Sequence, residues 1–489
     1  MSALLACLVL PLLGALAAVA LPRRAVAAVL AGVVALTLVA AVGLAVAVHS
    51  GGVVRLALGG WSPPLGIALA ADGLGAAFVL LTALVMAGVA AAARDEMTPQ
   101  GAGPRAAFGF WPLMLLLWGA LNAVFLSRDL FNLYVGIELL TLAAVALVAI
   151  GGRAEAIAAA MRYLIFALAG SLLYLAGVVL IYGAHGTLDI DLVAARDAAA
   201  PDGLALALMT AGLLVKTALF PFHVWLPPAH ASAPAPASAL LSALVPKASF
   251  VILLRLWFEA MPDLGTDRAL LLLGVLGAAA ILWGSLRALV QARLKLIVAY
   301  STVAQLGYLF LVFPLAGGAA GAQPWTAGAW TGAIFQALSH GLAKAAMFLA
   351  AGLFMAAAGS DRLGALRGLA RVMPMTAFAF ALASVTLISL PPSGGFTAKY
   401  LLMTSSFAAG QWIWALVMTL GGLLTAGYLY RPMAALFARE GGEGVQTVAR
   451  ARQAVPLVLA GLAILLGILS AAPFDFLQIG RPEAAEEGP

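Results

Sequence analysis

The sequence predicts an all-α polytopic membrane protein of about 14 transmembrane helices, with two inverted five-helix repeats and two broken helices. Three observations predict it. Of 489 residues, 64% are hydrophobic and 9% are charged, with a mean hydropathy of +1.08, whereas a soluble domain carries about 25% charged residues. Apolar runs of membrane-spanning length recur along the whole chain; a ~30 Å hydrocarbon core takes about 20 residues of helix. Two of the runs are interrupted by Pro and Gly, five helices apart.

This composition excludes a soluble enzyme and a disordered chain. The net charge of +6 is scattered and forms no basic stripe, so no nucleic-acid partner is expected. The single cysteine, Cys7, lies in an apolar run. It excludes internal disulfides, thiolate zinc sites and iron–sulfur ligation.

The runs lie near 2–21, 25–48, 66–93, 106–126, 130–150, 156–184, 203–221, 237–261, 268–290, 294–315, 327–358, 373–392, 400–433 and 454–472. The first resembles a signal peptide in length but lacks a basic leader and is followed at once by further spans, so it is read as retained. Loops after odd-numbered helices carry fifteen Lys and Arg, among them Arg94, Arg153 and Arg371, against five after even-numbered ones. The positive-inside rule then places both termini on the outer face of a cell (inner) membrane. No span is followed by a soluble domain. The stretch GTLDIDLVAARDAAAPD (186–202) is expected to hold a short interfacial helix, and the short tail ends acidic. The whole of 1–489 reads as one membrane domain: helices 1–3 in 1–105, a first repeat in 106–261, a second in 268–433, and a last helix at 454–472.

Walker A, GxGxxG and HExxH motifs are absent, and the five histidines show no paired haem-ligand spacing. No redox cofactor and no metal are expected in this chain. The lysines are more informative, because there are only five, while the 21 arginines are read as serving the loops. Lys216 lies in LLVKTALF, Lys247 in LVPKASFVILL and Lys344 in GLAKAAMFLAAG; Lys399 follows LPPSGGFTA. A lysine at mid-membrane costs roughly 2.5–3.5 kcal/mol on insertion scales, so four such residues imply a wet interior. Lysine can give up its proton when buried, whereas arginine stays charged. Lys295 opens a helix beside a basic loop and reads as a cytoplasmic anchor. Glu138 is the one acid in its span. An unpaired carboxylate there is costly, which predicts a lysine partner from another helix. Asp72 lies near the start of the third span and reads equally well either way.

Helix seven reads KTALFPFHVWLPPAH and helix twelve LISLPPSGGFTAK. Proline removes a donor and frees a carbonyl, and matched interruptions in two halves point to an ion site. Because five helices separate them, a duplicated unit must insert upside down the second time, which predicts inverted repeats in helices 4–8 and 9–13. His223 and His230 follow the first break, and His340 is four residues before Lys344, on the same helix face. Neutral histidine exchanges protons near pH 7, so these three extend a possible relay.

VKTALFPFHVWLPPAH, LKLIVAYSTVAQLGYL, SHGLAKAAMFLAAG and LPPSGGFTAKY resemble the signature segments of the antiporter-like proton-translocating subunits of complex I, Mrp-type sodium/proton antiporters and related hydrogenases. The likeness runs from about Asp72 to Arg431. It implies a hydrated axis of charge at mid-membrane, with Glu138 and Lys216 as the helix-five and helix-seven pair. Lys247 matches the central helix-eight lysine, His340 and Lys344 the helix-eleven pair, and Lys399 the helix-twelve residue near the exit. It also implies other membrane subunits, protons, sodium in the Mrp case and the lipid bilayer as partners. Three departures stand out. Arg162 replaces a helix-six lysine and is expected to bias the neighbouring pair. Arg293 replaces an acid before AYS, which puts a loop contact in doubt. The long lateral helix of the largest paralogue is missing.

The favoured function is a proton-translocating subunit of an NADH:quinone oxidoreductase-type or Mrp-type complex. The alternatives are a self-sufficient monovalent cation/proton antiporter and a non-conducting scaffold subunit. The first is preferred because no span offers a second acidic cluster for sodium, and four buried lysines exceed what packing needs.

Overall fold

In the computed structural model, residues 2–482 are described except 319, 320, 322, 443, 444 and 447; the acidic end of the tail lies outside them. Among the described residues, thirteen helices are long and apolar enough to cross a membrane. The first six are Ala3–Ala20, Ala25–Gly51, Gly73–Ala93, Pro104–Leu126, Leu130–Ala149 and Ala154–His185. Asp202–Ser232, Ala235–Ala260, Asp267–Leu289, Leu294–Ala316 and Thr326–Ala358 follow, and Trp412–Leu436 and Arg450–Ile468 close the series. A further crossing, twelfth in chain order, is divided into Pro374–Ile388 and Gly394–Ala408.

That division corrects the expected thirteenth span. The apolar run 400–433 is not one helix: its first part completes the twelfth crossing, and a turn at Gly410 (φ 70°) separates it from Trp412. The expected interfacial helix is a single turn, Ile190–Ala194, capped by Asp189, whose carboxylate accepts from the Leu192 amide at 3.0 Å. An element that hydropathy does not predict lies between the second and third spans. There β1 (Val54–Ala57) pairs antiparallel with β2 (Ala68–Ala71), in the register Val54↔Ala71.

The core sits around the eighth span, which is buried throughout, and the tenth and eleventh, which are largely buried. The second span is the most exposed of the crossing helices. The eleventh has 33 residues and is therefore about 50 Å long at 1.5 Å per residue. It packs against the third, eighth, tenth, twelfth and fourteenth spans.

Without a water-driven hydrophobic effect between them, membrane helices gain from close backbone approach at small residues. Spans six and seven meet at Gly170 and Gly212: a Cβ on either would lie 2.7 or 2.2 Å from the other's carbonyl oxygen. Spans nine and ten meet in the same way at Gly277 and Gly307, with distances of 2.6 and 2.3 Å.

Two backbone features recur along the chain. The start of the fifth span is clasped to the segment after the sixth by Leu130 N–H to Leu188 O and Ile190 N–H to Arg128 O, at 2.9 and 2.8 Å. The start of the tenth is clasped to the segment after the eleventh by Leu294 N–H to Asp361 O and Leu363 N–H to Ala292 O, at 2.7 and 3.0 Å. Likewise, the first segments of the seventh and twelfth spans each end on a left-handed non-glycine residue, Ala218 (φ 58°) and Ser389 (φ 69°).

Candidate functional site

The Gly170–Gly212 approach sets up the first cluster. Ser171 follows Gly170, and Lys216 lies one turn beyond Gly212, so both side chains reach the fifth span. The Lys216 ammonium donates to Glu138 Oε1 and to Thr141 Oγ1, each at 3.0 Å. The Ser171 hydroxyl donates to the same carboxylate oxygen. Glu138 and Thr141 are one helical turn apart and therefore share a face. The expected Glu138–Lys216 pair is present, with the lysine side chain 5% exposed and the carboxylate 20%. Arg162 is exposed on the sixth span and is not among the pair's hydrogen-bond or ion-pair partners, so the bias expected of it has no contact behind it.

The second cluster is built on a proline. Pro246 cannot donate to the carbonyl four residues back, which is that of Ser242. Lys247, fully buried, fills the vacancy: its ammonium donates to the Ser242 carbonyl at 2.6 Å. The Ser242 hydroxyl touches Thr302 Oγ1 at 2.8 Å. Thr302 in turn donates to the Val298 carbonyl, which Lys344 also reaches, at 2.7 Å. The Ser301 hydroxyl is a second partner of Lys344. Lys247 and Lys344 are thus connected through spans eight, ten and eleven by hydroxyls and carbonyls.

His340 and His230 border this cluster. Both are buried, and His340 Nε2 and both His230 nitrogens form no well-aligned hydrogen bond among the described residues. His340 lies in the field of Lys247 and Lys344, and His230 in that of Lys344, Lys295 and Lys247. His230 meets Phe348 edge-on, with ring centroids 5.7 Å apart. His223 stands apart: it stacks on Phe220 and accepts from the Trp283 indole N–H at 3.2 Å.

Lys399 follows the second break and is also separate. Its ammonium is buried and has no hydrogen-bond partner among the described residues. It lies 4.7 Å from the centroid of the Tyr308 ring.

Lys295 corrects its expected role. It is 2% exposed, and its ammonium donates to the Ala233 carbonyl at the end of the seventh span. The last turn of a helix leaves carbonyls unpaired and carries partial negative charge, so a buried cation there acts as a cap, not a surface anchor. Arg293 does make a loop contact, with Asp361 at 3.0 Å.

The arginines do not all serve loops. Arg255, in VILLRLW, is 3% exposed and binds Asp72 through both terminal nitrogens, at 2.5 and 2.8 Å. Glu259, one turn on, bridges Arg255 to Arg128, and Asp191 links Arg128 to Arg55 at the surface. Burial pushes the Asp72 carboxyl up, but the Arg255 guanidinium outweighs it and holds the group below the usual carboxylate range. Asp191 is likewise held low against burial, by Arg128 and Arg55. Asp72, the N-cap of the third span, therefore belongs to this alternating chain and not to the lysine clusters. An arginine inside an apolar run with an acid four residues later is the sequence signal that marks it.

Chemically, the lysine clusters can hold and hand on protons across several spans. Among the described residues, no three His, Cys, Asp or Glu side chains converge as a metal site requires.

Residues 127–425 match the family model described as NADH:quinone oxidoreductase/Mrp antiporter, transmembrane. NADH-quinone oxidoreductase subunit N of Desulforudis audaxviator (strain MP104C) is 38% identical over 86% of this chain and 84% of its own length. A Na(+)/H(+) antiporter subunit of Alkalihalophilus pseudofirmus is 30% identical over 89% of this chain and 87% of its own length. A chain of the Mrp complex from Dietzia sp. DQ12-45-1b superposes with a TM-score of 0.89 at 28% identity, over 98% of this chain and 96% of that one.

Proposed function

The chain belongs to the NADH:quinone oxidoreductase/Mrp antiporter family of membrane proteins, and from that premise we propose that it translocates protons as one subunit of a multi-subunit membrane complex. The observation that carries this reading is the Glu138–Lys216 pair, a half-buried acid and a buried base from different helices at the mouth of a helix break. Closed, the carboxylate stabilises the ammonium. Separated, the ammonium stands in a low-dielectric site without its counter-charge and gives up its proton. Lys247, Lys344, His340 and His230 are the groups positioned to receive it, and Lys399 is the exit carrier. His223, which contacts Trp283 and Phe220, is left off this proposed route.

The quinone oxidoreductase and antiporter relatives belong to systems that differ in energy source, and the proton path is common ground. Two further parts of the reading go with it. The recurring backbone clasp and the recurring left-handed residue support inverted repeats within 106–261 and 268–433, because five spans separate each feature from its counterpart. The Lys and Arg bias of the loops supports termini on the outer face.

The test uses inverted membrane vesicles carrying Glu138→Gln or Lys216→Ala in the assembled complex. Acidification is driven in separate samples by NADH and by an imposed sodium gradient. Loss of NADH-driven acidification alone assigns a complex I-type pump, and loss of sodium-driven flux alone an Mrp-type antiporter. If both survive with the complex intact, the pair is structural and the reading fails. Sodium flux by the purified chain alone would favour the self-sufficient antiporter.

A further inference from the structure

Four buried lysines have hydrogen-bond partners: Lys216, Lys247, Lys295 and Lys344. Lys399 is buried too and has none among the described residues. No carboxylate and no second cation among them acts on it. From the tenth span it is met by Tyr308, itself 1% exposed, with the ammonium 4.7 Å from the ring centroid. A cation over an aromatic face is attracted by the ring quadrupole, most strongly where water is excluded.

The thirteenth span is shaped around this contact. A Cβ on Gly421 would lie 2.3 Å from the Tyr308 hydroxyl oxygen, and one on Gly422 would lie 3.2 Å from the Lys399 ammonium nitrogen. Two adjacent glycines thus make room for the polar ends of both residues. Thr425 and the buried Tyr428 follow on the same helix. The eleventh and fourteenth spans approach the same half-helix with small or uncharged groups, Gly332 and Ser339 from one and Ala463 and Gly467 from the other.

We propose that Tyr308 is the positioning residue of Lys399, its ring face being the group that holds the ammonium charged inside the membrane. The proposal deepens the reading of Lys399 as a proton carrier and rests on it for its function, though not for its geometry.

The test measures Lys399 directly. Complexes are treated with a membrane-permeant succinimidyl ester, which acylates only the neutral amine, and the labelling rate of Lys399 is read by mass spectrometry. Tyr308→Phe keeps the ring, and the rate is expected to stay as in the parent. Tyr308→Leu removes the ring and should raise labelling about tenfold. Replacing Tyr308 by phenylalanines with one, two and three ring fluorines keeps the shape while weakening the quadrupole, so labelling should rise stepwise even if the leucine variant does not assemble. A flat fluorine series overturns the proposal. Translocation by Lys399→Ala is measured in parallel. If it persists while the series holds, the carrier reading fails and the Tyr308 contact stands.

Discussion

The seventh and twelfth spans break with the same backbone device and treat their lysines in opposite ways. In the seventh, Lys216 sits just before the left-handed residue and finds a carboxylate and a threonine hydroxyl. In the twelfth, Lys399 sits beyond the left-handed residue and, among the described residues, finds an aromatic face and no hydrogen-bond partner. The first arrangement can switch, because an ion pair has two partners that can part. The second cannot part from a counter-ion it lacks. On the proposed proton path, one end is thus suited to control and the other to release.

The largest effect that can break this comparison comes from stranding a charge. Removing one partner of a buried pair costs roughly 3–5 kcal/mol, because the other charge is left uncompensated. Glu138→Leu is therefore expected to lower the thermal stability of the complex in detergent strongly, and adding Lys216→Met should recover most of it. Lys399→Met strands nothing and should leave the melting temperature near that of the parent. Equal losses at both lysines would end the distinction.

A smaller effect tests what brings the pair together. Gly170→Ala places a methyl 2.7 Å from the Gly212 carbonyl oxygen and forces spans six and seven apart, at about 1–3 kcal/mol. Translocation should fall with the loss of stability. Gly461→Ala, where the added methyl meets no heavy atom within 4 Å, is the matched control and should change neither.

Lys295 offers a third test, on a lysine that caps rather than carries. Lys295→Met removes the charged donor of the Ala233 carbonyl and leaves it only the Ser238 hydroxyl at 3.2 Å, at about 1.5 kcal/mol. It should lower stability while the pH dependence of translocation per assembled complex stays unchanged. The smallest effect is expected for Thr141→Val, which removes one neutral partner of Lys216 and leaves the carboxylate. With the carboxylate still in place the net loss is that of one hydrogen bond, about 0.5–1.5 kcal/mol, so translocation should drop severalfold, well short of the effect of Glu138→Gln.

Much of the fold is legible in local sequence. Apolar length marks the crossings, and Pro and Gly mark both breaks. The run 400–433 misleads because hydropathy measures apolar length and does not register a turn such as that at Gly410, which the chain makes without any charged residue. Arg255 escapes any reading that assigns arginines to loops as a class, although its run is as apolar as those of the lysines.

The sequence by itself determined that this is a membrane protein, where its helices break and which lysines lie in apolar surroundings. Those follow from burial costs and backbone chemistry that act over a few neighbouring residues. Only the tertiary structure decided what each lysine meets: a carboxylate, the carbonyl freed by Pro246, the Val298 carbonyl, a helix end or the face of Tyr308. Each of those partners except the Ser242 carbonyl comes from a distant part of the chain. Close backbone approach, at glycines whose Cβ would collide, sets which side chains can touch.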